Sequence, residues 1–395
     1  MIDLEKHRLL KYPLFGSLYF SQGVMYALAL VIINIYFDSK GIPDSITAVV
    51  IGLAYTPWII KFIFGGIVDR FIAFGRRKFI IFGGALSGIC FIIVSTIDPV
   101  TALIPFTIVL TLGSCGIAFL DVAADAWAIQ TTVERERGKV NAAMFGGMFV
   151  GIAVASIFLS QIAEQFGYNF TFIATSLLIF AIIIFPVMVK ETIIVKKTQK
   201  ITKVVASEFK KKNTQLITLL FPFTTISFGL LAFAIPQYMN DVLFLSIGQI
   251  GLIAAVAPIL TVVGNILGGF MADTWGRKKT LYVFLVINLI FCLLLIFSDN
   301  WLRIAIVWSL IGFLHGGHFT ATGALAMDVT NPKVGAAQYS LIMASGNVGE
   351  FCGTTVSGSL ISLIGFSRIF LYSAWFYGPA LLVLYFVKSK FKNNK

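Results

Sequence analysis

Charge is what this sequence has least of. Only 12% of its 395 residues are Asp, Glu, Lys or Arg, against 58% hydrophobic, where a soluble protein of this size carries roughly 25% charged residues. That deficit, spread over the whole length, excludes a soluble enzyme, a disordered chain and a nucleic-acid-binding domain together, despite a net charge of +12. Cysteine is also sparse. Cys90, Cys115, Cys292 and Cys352 stand singly in apolar runs without C-x-x-C spacing, which argues against a disulfide framework or a metal knuckle and for packing. There is no nucleophile beside a base, no H-E-x-x-H pair and no phosphate-cradling glycine loop. Catalysis, a bound metal and a cofactor are therefore not expected.

Long apolar runs take the place of charge. Twelve are centred near Met25, Tyr55, Gly88, Ser114, Val150, Leu178, Gly229, Pro258, Leu289, Leu314, Asn347 and Gly378. Each is long enough for a helix to cross a bilayer and too long for an alternating barrel strand. The first, from Pro13 to Phe37, exceeds a signal-peptide core and reads as a retained span. The expected fold is an all-α membrane protein of twelve transmembrane helices, with no room for a separate soluble domain.

Basic residues alternate between the loops. Of the 30, 26 fall in one set: Lys6, Arg8 and Lys11; Arg70, Arg76, Arg77 and Lys78; Arg135, Arg137 and Lys139; eight lysines from Lys190 to Lys212; Arg277, Lys278 and Lys279; Lys333; and four from Lys388 onward. The opposite loops hold only Lys40, Arg303 and Arg368, among Asp38, Asp44, Asp98, Glu164, Asp241 and Asp299. By the positive-inside rule both termini are cytoplasmic, in a cytoplasmic (inner) membrane. The long connection separates an N-terminal six-helix bundle (1–189) from a C-terminal one (214–395), leaving 190–213 as a basic linker. Within the linker Ile194, Ile201, Val204, Val205 and Phe209 recur at helical spacing. It is either a helix lying on anionic lipids or a solvated connection.

The halves repeat. Span two ends Gly65-Gly66-Ile67-Val68-Asp69-Arg70, followed by Gly75-Arg76-Arg77-Lys78; span eight ends Gly269-Phe270-Met271-Ala272-Asp273, followed by Gly276-Arg277-Lys278-Lys279. Both read G-x-x-x-D, a short loop, then G-R-[RK]-K. This repeated loop resembles the signature of the major facilitator superfamily, which implies two pseudo-symmetric six-helix bundles and alternating access by rocking of one half on the other. The first copy carries three extra residues between Asp69 and Gly75. A narrower resemblance rests on Gln22-Gly23, Lys61-Phe62, the run Asp121-Val122-Ala123-Ala124-Asp125-Ala126-Trp127, and Glu136-Arg137-Gly138. These look like the branch of bacterial AmpG-type muropeptide permeases and acetyl-CoA transporters. The acid expected soon after the tryptophan is replaced by Ile129-Gln130. Drug-exporting antiporters of the superfamily carry a proline in the glycine motif of span five, and Gly146-Gly147-Met148-Phe149-Val150-Gly151 has none, which favours uptake. Gly147 and Gly151 suit a close helix contact.

An ionisable group near the bilayer centre costs at least ~2.5 kcal/mol, so each one within a span is a functional candidate. Lys61, Asp121, Asp125, His315, His318 and Glu350 qualify. Asp121 and Asp125 share one helix face roughly 6 Å apart, and resist being ionised together unless a cation such as Lys61 stands opposite. Asp121 is a candidate for proton coupling or substrate binding. Asp125 either joins it or belongs to an inner-gate network with Gly65, Asp69, Arg70, Arg76, Arg77, Gly269, Asp273, Gly276, Arg277 and Lys278. His315 and His318, three apart, suit protonation, hydrogen bonding to substrate, metal binding or packing. Glu350 suits coupling or packing. Tyr19, Gln22 and Tyr26 share a face of span one and, with Gln237, would line a cavity; Asn265 is a further polar position.

The expected function is a secondary transporter, acting alone as a monomer, that carries a hydrophilic, anionic organic solute (sugar-peptide or acyl-carrier-like) with protons. A facilitator or exporter and a non-transporting sensor are the alternatives. Nucleic acid is not an expected partner; anionic lipids are. The charge count makes a topological prediction. Cysteine introduced at Lys200 should react with an impermeant reagent from the cytoplasmic side alone, and cysteine at Asp38 or Asp299 from outside alone. Labelling of all three from one face would overturn the arrangement.

Overall fold

The computed structural model describes residues 2–3, 8–132, 137–191, 202–331 and 335–388. Of the basic loop residues counted above, Lys6, Arg135, Lys196, Lys197, Lys200, Lys333, Lys390, Lys392 and Lys395 lie outside them, as do linker residues Ile194 and Ile201. The side chain of Asp69 is likewise outside what is described.

The chain is helical almost throughout. Helix α1 (Lys11–Ala27) runs through a π-helical turn at Leu28–Ile33 into α2 (Asn34–Ser39). Then come α3 (Asp44–Ile59) and α4 (Lys61–Arg70). The first half continues with α5 (Arg76–Val94), α6 (Leu103–Thr131), α7 (Arg137–Phe166) and α8 (Tyr168–Met188). A short helix α9 (Thr202–Glu208) precedes α10 (Lys212–Asp241), α11 (Ile247–Thr274) and α12 (Arg277–Leu294). The chain closes with α13 (Trp301–Val329), α14 (Gly335–Ile364), α15 (Phe366–Trp375) and α16 (Tyr377–Phe386). Among the described residues ten helices are long and apolar enough to cross a membrane. The runs near Tyr55 and Asn347 fall on α3 and α14, so every run read from the sequence lies on helix. One element was not expected. Ile2–Asp3 (β1) pairs in parallel with Val189–Lys190 (β2).

Two compact units result: Met1–Pro43 with Val50–Lys197 and Leu245–Ala255, and Asp44–Val49 with Thr198–Phe244 and Val256–Lys395. In the first, α1 packs chiefly on α7, and α5 on α6 and α8; in the second, α10 packs chiefly on α14, and α12 on α13. Side chains facing away from these contacts are apolar, among them Ile104, Phe82, Leu177, Ile266 and Leu363, as lipid requires in place of water. Among the polar contacts between helices are short hydroxyl-to-carbonyl bonds: Ser176 donates to the Gly88 carbonyl (2.7 Å), Thr225 to Gly346 (2.7 Å) and Thr261 to Gly312 (3.0 Å). Such bonds hold helices together where hydrophobicity gives no net attraction. The expected glycine contact is present, since a methyl group on Gly147 would overlap the Gly16 carbonyl of α1.

Two local features decide where functional groups stand. Pro57, inside α3, has no N–H to give to its preceding turn, and the helix breaks three residues later at Ile60 (φ −95°, ψ 7°). Lys61 thereby becomes the first residue of α4. The glycines of the two basic motifs, Gly75 and Gly276, precede α5 and α12 with φ of 85° and 91°, a backbone conformation open to glycine and strained for other residues.

At the end carrying the basic loops, α9 is tied to the second unit. Glu208 accepts from the Asn331 amide (2.8 Å) and pairs with Lys211 (2.5 Å), while the Asn331 backbone N–H donates to Gln338 (2.8 Å). The Lys211 side chain first, and the Asn331 amide second, hold the Glu208 carboxyl below its usual titration range. A group whose folded-state affinity for protons is depressed contributes stability above its unfolded value, and that contribution is lost as pH falls through the folded value. Glu208→Gln should therefore melt at a lower temperature than the wild type at neutral pH, and the gap should close on acidification below about pH 4.3. A gap that persists undiminished in acid would contradict the contact.

Candidate functional site

The first unit brings a set of polar side chains together where α1, α4 and α6 meet. Asp121, on α6, is 1% exposed. Its Oδ1 accepts from Gln22 Nε2 on α1 at 2.5 Å, and its Oδ2 faces Lys61 Nζ on α4 at 3.3 Å. One turn along α6, Asp125 Oδ1 accepts from the Tyr19 hydroxyl at 2.5 Å. Three helices thus contribute to one cluster with a face of its own. Tyr19 and Gln22 are there because they lie three apart on α1, Asp121 and Asp125 because they lie four apart on α6, and Lys61 because the break at Ile60 turns α4 toward them.

The surroundings are dry. Leu14, Phe15, Leu18, Val68, Ala124 and Trp127 form the core next to the cluster, with Phe15 edge-on to Trp127 at 5.8 Å between ring centres. Burial of a single carboxylate in such a place is costly unless it is paired and hydrogen-bonded. Asp121 has both kinds of partner. Tyr26, which shares the Tyr19 and Gln22 face in sequence, packs edge-on against Tyr55 (5.0 Å) and Trp58 (6.1 Å), one turn beyond Gln22.

Asp125 therefore stands with Asp121, Lys61 and Tyr19, and the arginines of the basic motif find other partners. Arg76 donates to the Gln130 side chain, the residue found where an acid was expected. Its backbone N–H and that of Arg77 donate to Glu191 at 2.7 and 3.0 Å, and the Arg77 guanidinium donates to the Val189 carbonyl at 2.7 Å. A carboxylate on the first N–H groups of a helix also meets the positive end of its dipole. Arg70 lies exposed over the Phe71 ring (5.9 Å). Gly65 faces Val122 on α6, as Gly269 faces Thr320 on α13.

In the second unit the basic residues of the motif pair away from its aspartate. Asp273 is exposed at the end of α11 and makes no ion pair among the described residues. Arg277 reaches Asp328 at 3.1 Å, because the last turn of α13 lies against the first of α12. Lys278 donates to the carbonyls of Tyr385 (2.8 Å) and Val387 (2.9 Å), the counterpart of Arg77 on Val189, and Gly276 makes the turn before them.

The two histidines lie among rings. His315 stacks on Phe228 (4.0 Å, 22°) and Phe319 (5.8 Å, 29°), and Phe228 on Trp308 (5.7 Å, 18°). His318, fully buried, meets His315 edge-on at 4.9 Å and Tyr377 at 6.1 Å. Neither nitrogen of its ring has a hydrogen-bond partner among the described residues. Glu350 is half-buried on α14, where its backbone packs against Gly229 of α10. Gln237 donates to Asp241 on its own helix, α10 (3.1 Å), whereas the histidines stand on α13. Asn265 accepts from Thr320 (2.9 Å), joining α11 to α13.

Sequence reasoning missed Glu191, Asp328 and the ring stack of Phe228, Trp308, Phe319 and Tyr377. The internal repeat held a signal for one of them. Asp328 lies 198 residues after Gln130, as Val387 does after Val189.

Apolar helices in two repeated units, each with a glycine-arginine turn at one end and one with a charged cluster at membrane depth, define a polytopic transport protein. The sequence profile of the Major Facilitator Superfamily matches residues 15–243 and 217–395, and the chain belongs to that family. It is 24% identical to AmpG 4 of Rickettsia felis, over 94% of this chain and 96% of that one. It is 23% identical to the anhydromuropeptide permease of Escherichia coli K12, over 85% and 70%. In fold it resembles a bacterial homologue of the human lysosomal transporter Spinster, in an inward-facing, unoccupied conformation, with a TM-score of 0.82, 12% identity and 96% of each chain covered.

Proposed function

We propose that this transporter imports a hydrophilic, anionic organic solute of the sugar-peptide or acyl-carrier class by alternating access, driven by the proton gradient. The bodies that move are the halves 1–189 and 214–395, with the basic linker and both termini on the cytoplasmic side of the inner membrane. The turns from Asp69 to Arg77 and from Asp273 to Lys278 control that end of each half, and the linker lysines rest on anionic lipid headgroups.

One observation carries the reading: a buried carboxylate, Asp121, paired on Lys61 and one turn from a second carboxylate held by Tyr19. Ion pairs of this kind inside a membrane mark solute and proton pathways. A lipophilic cation would meet Lys61, the wrong charge, at this cluster, whereas an anion meets the right one. The likeness to a permease for anhydromuropeptides supports the same solute class.

Purified protein in proteoliposomes, given a labelled anhydromuropeptide and an inwardly directed proton gradient, should accumulate it. Asp121→Asn, which mimics the protonated acid, should abolish accumulation while exchange across the membrane persists. Glu350→Gln and His318→Gln, the alternative coupling groups, should retain accumulation. Equal accumulation by the wild type after a protonophore has collapsed the gradient would defeat proton coupling.

A further inference from the structure

The partners of Asp121 are unequal. The Asp121 side chain is 2% exposed while that of Lys61 is 32% exposed, so the acid is closed off and the ammonium is open on one side. The carboxylate's shorter contact, 2.5 Å, comes from the neutral Gln22; the longer, 3.3 Å, comes from the charge. A proton arriving on Oδ2 would leave the Gln22 bond on Oδ1 in place and remove the charge in direct contact with Lys61, leaving Asp125, held by Tyr19, one turn further along α6. An ammonium left uncompensated at this depth requires another anion.

We propose that Lys61 is the anion-binding group of the transporter, and that a carboxylate of the solute replaces Asp121 on Nζ when Asp121 takes up a proton. This rests on the import reading above and specifies its chemistry. Charge balances in both states. Without solute, Lys61 and Asp121 cancel; with solute, Lys61 and the solute carboxylate cancel, and the proton sits on Oδ2. One proton therefore accompanies each carboxylate, and the net charge of the site, Asp125 included, is the same with and without solute.

Other groups do not take the same part. Facing Asp121 are Tyr19 and Gln22 from α1, Lys61 from α4 and Asp125 along α6, and Asp125 is engaged by the Tyr19 hydroxyl. Lys11 of α1 and Arg76 of α5 are held at the end of α6, on the Thr131 carbonyl (2.6 Å) and on Gln130. Cys90 of α5 lies beside Cys115, nearer the start of α6 than Asp121, and Glu164 is at the far end of α7. The α7 side chains of Arg137 and Lys139 lie outside the described residues.

The test uses the full-length protein in detergent and two probes, N-acetylmuramic acid and N-acetylglucosamine, which share a ring and differ in the lactyl ether that carries the carboxylate. For the wild type, affinity for N-acetylmuramic acid should rise as the pH falls, by up to about tenfold per pH unit, as one proton taken up per molecule bound requires. N-acetylglucosamine should show no such dependence. Asp121→Asn should bind N-acetylmuramic acid at neutral pH as tightly as the wild type in acid, without proton uptake. Lys61→Gln should lose the preference for the carboxylate by roughly tenfold or more, and Lys61→Arg should keep it. A pH-dependent preference surviving in Lys61→Gln, or proton uptake surviving in Asp121→Asn, overturns the proposal. So does failure of both the wild type and Asp121→Asn to bind N-acetylmuramic acid at any pH. Gradient-driven uptake of an anhydromuropeptide separates the two claims. Uptake that persists unchanged in Lys61→Gln sinks the lysine assignment and leaves import standing, and no uptake by the wild type sinks the import reading itself.

Discussion

A carboxylate buried at membrane depth must be given a cation and hydrogen-bond donors, and the first unit is arranged around that need. Asp121 draws α1, α4 and α6 to one point through Gln22 and Lys61. Removing either partner would leave a group whose desolvation is uncompensated, which in protein interiors is far more damaging than the pair is stabilising. The break at Ile60 serves the same end. It makes Lys61 the first residue of α4, where the helix dipole is unfavourable to a positive charge, so that Asp121 answers two demands with one contact. A pair under those conditions holds firmly while both members are charged and opens when one is neutralised.

The repeat shows how the same turn can be secured by different chemistry. Gly75 and Gly276 adopt the same positive φ, and each delivers a basic residue to the closing carbonyls of its half, Arg77 to Val189 and Lys278 to Val387. The preceding arginines diverge. Arg277 meets a carboxylate, Asp328, whereas Arg76 meets an amide, Gln130, and the acid of the first half comes from Glu191 beyond α8, on the N–H groups that open α5. β1 holds that same strand from the other side. The first half thus keeps its negative charge at the basic end but spends it on the helix start.

Membership of the spans and of the charged cluster was legible in the residues themselves. Twenty apolar residues in a row have one use, and a charge within them is costly enough to demand a reason. Helical spacing alone placed Tyr19 beside Gln22, and Asp121 beside Asp125. What could not be read was which helix lies opposite which. Lys61 could be named as a cation to oppose the acids, but the contact depends on where the helix breaks, at Ile60. Asp125 could equally have served the arginines until α1 put Tyr19 against it. The rings around His315 come from α10 and α13, and the partner of Gly147 from α1, all of them tertiary facts. Glu191 was invisible for a further reason. A helix cap supplied from an irregular segment beyond another helix leaves no periodic trace.

The central claim is that Lys61 and Asp121 form one energetic unit, and a double-mutant cycle on thermal stability tests it most directly. Lys61→Met and Asp121→Asn are compared singly and together at neutral pH. The account predicts that Lys61→Met alone is the most destabilised of the three, because Asp121 is left charged and buried, and that adding Asp121→Asn recovers on the order of 1–3 kcal/mol. Simple additivity of the two single changes would contradict it.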